Sequence, residues 1–539
     1  MTPETLVAAL RQPEAYPWQP TDVELIETHV SWVFLAGDRV VKIKRPVVYP
    51  FVDFRDLASR HRSCQDEVRL NRRLTDGVYL DVVPIVQTAD GVRVGGDGAP
   101  VEWGTLMRRL PASGMLDAIL RAGSAPPDLG ARLASQLVPF HRDRCPPCGV
   151  RPEAAAAATQ VVTENLAELA PFAPAFRGPE QFAMIAAAMR RFIAEQDALL
   201  ARRAAEGWLR EGHGDLRCEH ICLEPDGAVQ IFDCVEFNRN LRCADVASDL
   251  AFLLMDLTRL GAADATGELR AAYDSAGLDL PEALLRFYWA HRALVRAKVA
   301  CLKLTATHEE RTALAVKAAD YVDLATAACL TVRPALIVMT GLSGTGKSTV
   351  AGRVARALGA ALFASDVVRK KVAGVEGAAP AAWREGIYRP ELTAATYDQL
   401  FALAGAELAA GRPAVLDAAF LTPEQRAGAA ALAAQHAVPL VLIETVCAEA
   451  TVAERLAARG AAGTSPSDAT LATYRQQRAA LDAAPPPTPA GALPVQVDTS
   501  GSLPISLDPV LTMLRDAGIV LPSIPTGEDG AAQPVRGHQ

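Results

Sequence analysis

The chain has 539 residues, of which 50% are hydrophobic and 22% charged, and its net charge is −8. This composition excludes wholesale disorder, and the length predicts several domains. The sequence lacks a long apolar run and a basic, apolar leader, so we expect a cytoplasmic protein without a membrane partner. The negative net charge disfavours nucleic acid as a partner, although it does not exclude a local basic patch. We expect the ten cysteines to be reduced and buried, with Cys145-Pro-Pro-Cys148 in an ordinary loop rather than a redox or metal site.

The first half of the chain begins with strand patterns and ends in helical ones. Alternating β-branched residues predict a hairpin over 30–35 and 39–44 that turns at Gly37 and Asp38. Further patterns predict a helix over 60–74, strands over 82–87, 91–94 and 102–110, a β-pair over 220–223 and 228–232, and helices from 245 to 330.

After residue 332 the patterns of strands and helices alternate. The predicted strands cover 335–340, 361–364, 414–416, 439–443 and 495–497, with helices between them. Such alternation predicts a parallel sheet covered by helices on both faces. We therefore predict one domain over 1–332, a second over 333–520, and a disordered tail over 521–539.

The strongest motif lies directly after the first strand of the second half. Gly341-Leu-Ser-Gly-Thr-Gly-Lys-Ser348 matches G-x-x-x-x-G-K-[ST] at every fixed position, between an apolar run and a helical pattern. The amides of such a loop converge on phosphate oxygens, its lysine contacts the β/γ phosphates, and its serine suits Mg²⁺. We predict that the loop binds ATP and Mg²⁺ through Gly341, Ser343, Gly344, Thr345, Gly346, Lys347, Ser348 and Thr349.

Two carboxylates are predicted to lie near this loop. Asp366 follows the second strand, where it would accept a proton from an acceptor hydroxyl, and Arg369 one turn later would hold the acceptor. Asp417 ends the next strand, where it would support the metal ion or the acceptor. For both aspartates a helix cap is the structural alternative.

A pair of arginines precedes a Gly/Ser/Pro-rich stretch. Arg455 and Arg459 share one helix face before residues 460–466. This arrangement suits a lid that brings an arginine onto the γ-phosphate, and solvated surface arginines are the alternative.

With these residues in view, residues 335–518 resemble the small P-loop kinases: gluconate, shikimate and adenylylsulfate kinases and the kinase domain of polynucleotide kinase. The D-x-x-R from Asp366 to Arg369 is most similar to the last of these, which implies that Asp366 is the base and that Arg369 contacts the acceptor side. Because no basic stripe is present, we favour a small hydroxylated metabolite over a nucleic acid end.

The first half contains a second set of candidate residues. His213-Gly-Asp215-Leu-Arg-Cys-Glu-His220 precedes the β-pair and Asp233 follows it, so Asp215 and Asp233 can converge on one phosphate–metal site. Asp215 would orient or deprotonate an acceptor hydroxyl, and Asp233 would hold Mg²⁺. Lys42 or Lys44 would pair with Glu67 to contact the α/β phosphates, and we favour Lys42.

Residues 30–330 resemble the aminoglycoside phosphotransferase and choline kinase branch of the protein-kinase-like fold. That family has H-G-D-x-H-x-x-N followed by a metal-binding Asp, and here Arg217 and His220 replace the second His and the Asn. The resemblance implies that His220 is a metal ligand through a ring nitrogen. No clear glycine-rich phosphate loop is present over 33–39.

The whole chain resembles bacterial proteins in which an aminoglycoside-phosphotransferase-like half is fused to a P-loop kinase half. This predicts an α/β multidomain protein: an N-terminal protein-kinase-like α+β fold, then a parallel sheet sandwiched by helices. We predict an ATP- and Mg²⁺-dependent phosphotransferase that transfers the γ-phosphoryl group to a hydroxyl of a small metabolite. The alternatives are a nucleotide-sensing regulatory ATPase with a ligand-binding kinase-like domain, and a 5′-hydroxyl polynucleotide kinase. The oligomeric state is left open.

Overall fold

A computed structural model describes the protein over residues 1–49, 52–89, 91–148, 152–176, 178–303, 308–374, 386, 389–462, 469–501 and 504–525. The chain forms two compact units. Unit 1 contains residues 1–161 and 196–281, and unit 2 contains residues 162–195 and 282–539. Within the described residues, no helix combines the length and the apolar character that crossing a membrane requires.

The helices of both units make up a large share of the structure. In chain order they are α1 (Pro3–Leu10), α2 (Leu57–Asn71), α3 (Leu116–Arg121), α4 (Leu129–Pro139), α5 (Pro152–Leu169), α6 (Pro179–Glu195), α7 (Asp197–Ala205), α8 (Arg239–Arg242), α9 (Val246–Arg259), α10 (Ala263–Ser275), α11 (Glu282–Leu302), α12 (His308–Cys329), α13 (Lys347–Leu358), α14 (Ser365–Ala373), α15 (Pro390–Ala409), α16 (Pro423–Gln435), α17 (Glu449–Ala462), α18 (Leu471–Ala483) and α19 (Asp508–Asp516).

Unit 1 is built on an antiparallel sheet of six strands. In chain order, all the strands of unit 1, inside and outside this sheet, are β1 (Val23–Glu27), β2 (Ser31–Ala36), β3 (Arg39–Lys44), β4 (Val48–Tyr49), β5 (Val52–Asp53), β6 (Tyr79–Thr88), β7 (Gly91–Val94), β8 (Pro100–Arg108), β9 (Leu209–Glu211), β10 (Ile221–Leu223), β11 (Val229–Ile231) and β12 (Cys243–Asp245). The large sheet has the order β1-β2-β3-β8-β6-β7, and β10 with β11 and β12 with β9 form small pairs.

A helix cap, an apolar core and a short hairpin position the elements of unit 1. The side chain of Asp56 caps α2 by accepting from the amide of Ser59, which stabilises a helix by about 1 kcal/mol. One face of the sheet packs in an apolar core with α1, in which Phe34, Val41 and Ile43 are fully buried. Since β10 pairs with β11, the residues just before and just after this hairpin meet at one end. This arrangement confirms the predicted protein-kinase-like α+β fold.

The cysteine prediction is wrong at one pair of residues. Cys148 and Cys243 form a disulfide, with their Cα atoms 5.8 Å apart and a sequence separation of 95. The backbone brings them together because β12 pairs with β9, and the amide of Cys148 donates to Leu209 of β9. Cys145 and the remaining cysteines are free thiols.

Unit 2 is built on a parallel sheet of five strands. In chain order, the strands of unit 2 are β13 (Leu330–Val332), β14 (Leu336–Thr340), β15 (Ala361–Ala364), β16 (Ala414–Asp417), β17 (Leu440–Val446), β18 (Leu493–Asp498) and β19 (Val520–Pro522). Of these, β13 and β19 form a separate pair. The sheet order is β15-β16-β14-β17-β18, and every pairing in it is parallel. The predicted parallel sheet with helices on both faces is therefore confirmed.

The central strand β14 shows why this sheet is sandwiched. Successive side chains of a strand point to opposite faces. Accordingly Leu336 and Val338 lie in one apolar core with α15 and α16, whereas Ile337 and Met339 lie in the other core with α13 and α19. Parallel sheets covered on both faces bind ligands beyond the carboxyl ends of their strands. The loop that follows β14 therefore lies at the edge of the sheet where a ligand is expected.

Helices from before residue 332 also belong to unit 2. Asp323 of α12 is fully buried and accepts from both Nε and a terminal nitrogen of Arg353 of α13, at 2.8 and 2.7 Å. Gln181 of α6 donates to the same carboxylate at 2.9 Å. Within the predicted tail, residues 521 and 522 belong to β19, which pairs with β13. Residues 526–539 of that tail lie outside the described residues.

Candidate functional site

The phosphate-binding motif forms the turn between β14 and α13. Gly341, Gly344 and Gly346 have φ angles of +129°, +82° and +86°, a region that favours glycine. At Gly344 a Cβ atom would also lie 2.9 Å from Val452 Cγ1 and 3.1 Å from Leu456 Cγ. Only glycine fits there, and the turn brings successive amides to the start of α13, where a helix N-terminus attracts phosphate.

Threonine side chains hold this turn in place. Thr345 Oγ1 donates to the Leu342 carbonyl oxygen at 2.8 Å and lies 2.8 Å from Thr445 Oγ1. Thr499 Oγ1, directly after β18, donates to the Thr345 carbonyl oxygen at 2.7 Å. Lys347 Nζ donates to the Leu342 carbonyl oxygen at 2.8 Å, so its ammonium lies over the loop. The turn is thus held by its own residues and by threonines from β17 and from the end of β18.

Ser348 and Asp417 lie together at the start of α13. Ser348, Lys347 and Asp366 are all close enough to Asp417 to shift the pKa of its carboxyl. Burial raises the pKa of Asp417 and Asp366 raises it further, whereas Ser348 and Lys347 lower it; the net shift is upward. The predicted residues of three successive segments therefore converge, and a hydroxyl beside a carboxylate offers the oxygen ligands that Mg²⁺ prefers.

Arg369 lies in α14, the helix that begins at Ser365 and contains Asp366. Its guanidinium is nearly buried and donates to Thr393 Oγ1 of α15 at 3.0 Å. Both Arg369 and Asp366 act electrostatically on Tyr397, whose pKa burial raises to about 12. A cation, a carboxylate and a phenol thus lie near one another in unit 2. Thr393 and Tyr397 lie 27 and 31 residues beyond Asp366 and were not predicted, because no motif marks them.

Arg455 lies on the opposite side of the P-loop. Its guanidinium donates to Thr499 Oγ1 at 3.2 Å, and Thr499 in turn contacts Thr345. Arg455 therefore braces the loop through Thr499, and its contact with a γ-phosphate stays a prediction. The side chain of Arg459 and residues 463–466 of the predicted lid lie outside the described part of the chain. Thr349 lies in the first turn of α13.

In unit 1, two lysines of β3 share one glutamate. Lys42 Nζ lies 2.6 Å from Glu67 Oε1 and 2.6 Å from Asp233 Oδ1. Lys44 Nζ lies 2.8 Å from Glu67 Oε2 and 2.5 Å from Glu236 Oε1. Burial alone would lower the pKa of Lys42, but Asp233 and Glu67 outweigh it and raise the pKa well above its usual value. The predicted Lys–Glu pair is present, and Glu236 adds a second carboxylate to Lys44. Glu236 was not predicted as a site residue; the only sign of it in the sequence is its position three residues after Asp233.

The 213–220 segment presents Asp215 and His220 beside Asp233. Arg217 Nε and one terminal nitrogen hold Asp215 in a two-bond contact, at 3.0 and 2.8 Å. His220 Nδ1 lies 2.9 Å from the Asp215 carbonyl oxygen, and its Nε2 lies 3.5 Å from Asp233 Oδ2. The predicted residues of unit 1 therefore come together, and the Asp215 carboxylate is paired with the neighbouring Arg217.

A buried aspartate of α9 positions the same segment. Asp249 accepts from the amides of His213 and Gly214, the latter at 2.9 Å. At Gly212 a Cβ would lie 2.1 Å from an Asp249 oxygen, which explains the glycine next to the motif. The sequence offered one signal for this role, an aspartate in the apolar first half of a helix.

Each cluster can hold a metal ion only with help from another ligand. Among the described residues, no group of three His, Cys, Asp or Glu side chains is placed to hold a metal. Ser348 with Asp417, and His220 with Asp233, supply two donors each. Two protein donors suit an ion whose other ligands are nucleotide phosphates and water.

Comparison with known proteins agrees with this organisation. A family model described as an AAA domain matches residues 336–484. The chain is 34% identical over 465 residues to the uncharacterized protein Rv2004c of Mycobacterium tuberculosis (strain ATCC 25618 / H37Rv), an alignment covering 85% of this chain and 90% of the relative. The chain belongs to the Rv2004c family. Mb2027c of Mycobacterium bovis matches with the same identity and coverage.

Solved structures similar to this Rv2004c-family chain fall into two groups. A gluconokinase from Sinorhizobium meliloti 1021 has 22% identity and a TM-score of 0.22, over 34% of this chain and 89% of that chain. A choline/ethanolamine kinase family protein from Mesorhizobium loti has 15% identity and a TM-score of 0.34, over 59% and 94%. The GDP complex of wild-type aminoglycoside 2′-phosphotransferase-IIIa has 13% identity and a TM-score of 0.33, over 56% and 93%.

Proposed function

We propose that the protein is an ATP- and Mg²⁺-dependent phosphotransferase whose principal active site is the P-loop of unit 2. The observation that carries this proposal is the convergence of Lys347, Ser348, Asp417 and Asp366 at the carboxyl edge of one parallel sheet. The P-loop amides and Lys347 bind the β- and γ-phosphates, and Ser348 with Asp417 would hold Mg²⁺. The metal ion, when bound, neutralises charge on the phosphate oxygens.

Asp366 supplies the acid–base chemistry in this proposal. Its carboxylate accepts the proton of the acceptor hydroxyl, and the hydroxyl oxygen then forms a bond to the γ-phosphorus. The bond from that phosphorus to the β–γ bridging oxygen breaks, and ADP leaves with the electron pair. Arg369, nearly buried beside Asp366, orients the acceptor. We favour a small hydroxylated metabolite as the acceptor.

Unit 1 is proposed to hold a second nucleotide site. Lys42, paired with Glu67, would contact the α/β phosphates, and Asp215 would face the acceptor. We prefer Lys42 to Lys44 because its side chain is 12% exposed beside Asp233, whereas that of Lys44 is fully buried. One observation favours a second function here: Arg217 neutralises Asp215, which suits a nucleotide-sensing unit that binds without transferring phosphate.

The test removes one cation of the P-loop. Lys347→Ala should lower ATP turnover by about a hundredfold or more, because each donor aimed at the transferred group contributes that much. Lys303→Ala, an exposed lysine of the same unit, is the matched control and should leave turnover unchanged. If the protein binds no ATP, or if Lys347→Ala turns over ATP like the control, the proposal is wrong.

The acceptor and the role of unit 1 are separated by one further comparison. Lys347→Ala and Asp215→Asn are assayed with ATP over sugars, polyols, aminoglycosides and 5′-hydroxyl oligonucleotides, and products are identified by mass. Transfer to one acceptor that requires only Lys347 supports the nucleotide-sensing role of unit 1. Two acceptors, each lost in a different variant, would establish two kinase sites instead.

A further inference from the structure

One buried polar side chain lies on the apolar face that α18 presents to the P-loop. Leu342 of the loop packs in one apolar cluster with Leu456 of α17 and Tyr474 of α18, and Leu481 of α18 packs against this cluster. Residues three and four positions apart share one face of a helix, so Gln477 lies on the same face as Tyr474 and Leu481. Gln477 is only 8% exposed. This face of α18 therefore carries a buried carboxamide beside apolar side chains.

The carboxamide of Gln477 is hydrogen-bonded to the P-loop itself. The backbone N–H of Ser343 donates to Gln477 Oε1 at 2.9 Å. Because a backbone N–H only donates, the oxygen of the carboxamide faces the loop and its NH₂ group lies on the other branch. Burying an amide is costly unless the amide is hydrogen-bonded. This contact thus satisfies a loop amide and a helix side chain together.

The bond from Ser343 acts on the tip of the loop. Ser343 lies between Leu342, which belongs to the apolar cluster, and Gly344, where α17 packs so closely that a Cβ would not fit. The next residue, Thr345, is held by threonines from β17 and from the end of β18. Gln477 therefore completes a series of contacts that hold four successive residues of the loop.

We propose that Gln477 is a positioning residue for phosphoryl transfer at the P-loop: it holds the Ser343 amide and fixes the loop tip beside the γ-phosphate. This inference rests on the proposed function of unit 2. Since one N–H makes one strong hydrogen bond, Ser343 orients the loop, and the amides that follow it contact the phosphates. A displaced tip moves the γ-phosphorus relative to the acceptor hydroxyl, and a small misplacement of reacting atoms is costly in rate. Gln477 thus acts on the transfer step more than on binding of the β-phosphate.

Three variants of the full-length chain test this role, in a Lys42→Met background that weakens the proposed nucleotide site of unit 1. Gln477→Met has a similar length but no acceptor. Gln477→Glu keeps an oxygen for the Ser343 amide and adds a negative charge. Gln476→Met changes the neighbouring glutamine of the same helix, which is exposed, and is the matched control.

The first readout separates transfer from binding. Gln477→Met should lower kcat for ATP turnover by at least about tenfold relative to the control, because the loop tip loses the bond that positions the γ-phosphate. Its Kd for ADP should stay within about threefold of the control, because the contacts to the β-phosphate remain. Turnover equal to that of Gln476→Met overturns the inference, and so does a parallel loss of kcat and ADP affinity, which indicates a general loosening of α18.

The second readout is nucleotide binding and needs no turnover. The carboxylate of Gln477→Glu would lie beside the γ-phosphate, so it should weaken ATP binding at least about tenfold more than ADP binding. Equal losses of ATP and ADP affinity would overturn the inference and leave Gln477 a structural contact. Failure of the proposed phosphotransfer is distinct, since the protein without changes at 477 would then form no product while Gln477→Glu still discriminates ATP from ADP.

Discussion

At the scale of single residues, the two lysines of β3 differ in what surrounds them. Lys44 is fully buried between Glu67 and Glu236, while Lys42 contacts Glu67 and the partly exposed Asp233. Removing one partner of a buried ion pair leaves an uncompensated charge, which is far more costly than the pair itself is stabilising. The two lysines should therefore separate into a structural and a ligand-binding role.

We predict that Lys44→Met destabilises unit 1 by about 3–5 kcal/mol, because two buried carboxylates lose a shared cation. Lys42→Met should cost less stability, since water reaches Asp233, yet should weaken nucleotide binding to unit 1 more strongly. Denaturant unfolding and nucleotide titration of both variants in the Lys347→Ala background measure the two effects. A larger loss of stability in Lys42→Met than in Lys44→Met would contradict this assignment.

At the scale of elements, β9 leads directly into the 213–220 segment. The amide of Cys148 donates to Leu209, and the amide of Glu211 donates to Pro146 at 2.9 Å. On its other side β9 pairs with β12, which begins at Cys243. The Cys148–Cys243 disulfide thus closes a short sheet around the strand that positions His213 and Asp215.

Loss of this disulfide should loosen unit 1. Closing a loop of 95 residues restricts the unfolded chain, and such a bond typically stabilises by about 2–4 kcal/mol. We predict that Cys148→Ser lowers the stability of unit 1 by this amount. Dithiothreitol should destabilise the wild type equally and leave the variant unchanged. Equal melting temperatures of wild type and variant without reductant would show that the bond does not form.

The elements that sequence predicted are those with their own local pattern. The hairpin of β2 and β3, the strand β14 and the helix α13 follow from alternation and from the P-loop motif. The strands β9, β12, β13 and β19 were not predicted, because each is a strand of three residues stabilised by a partner distant in sequence. The disulfide was not predicted for the same reason, since the pairing of cysteines cannot be deduced from their spacing in the sequence.

The same contrast holds inside the candidate sites. Asp366 and Asp417 could be placed near Lys347 because carboxyl ends of neighbouring parallel strands meet at one edge. Thr499, which holds Thr345, and Glu236, which holds Lys44, depend on contacts over 154 and 192 residues. Such contacts are set by the tertiary fold and leave no local pattern in the sequence.

At the scale of the whole molecule, the chain passes twice into unit 2. Met184 of α6 and Leu330 of β13 both precede residue 333, yet they lie in the apolar core under β14 and α13. Asp323 accepts from Arg353, a nearly buried arginine of α13, and Gln181 donates to the same Asp323 carboxylate. The helix that follows the P-loop is therefore supported by residues from outside the 333–520 segment.

This arrangement predicts how fragments of the chain behave. A fragment of residues 333–525 keeps the sheet and the P-loop, but it leaves Arg353 buried without its carboxylate and exposes the core beside Met184 and Leu330. Breaking such an ion pair alone costs about 3–5 kcal/mol, a large part of the stability of a domain. The fragment should melt well below unit 2 of the full chain and bind ATP weakly. A fragment of residues 282–525 restores Asp323 and Leu330 and should recover part of both losses, which thermal melts and ATP titrations would measure. If the shorter fragment melts at the temperature of unit 2 in the full chain, α13 does not need these helices, and the 333–520 segment is an independent domain.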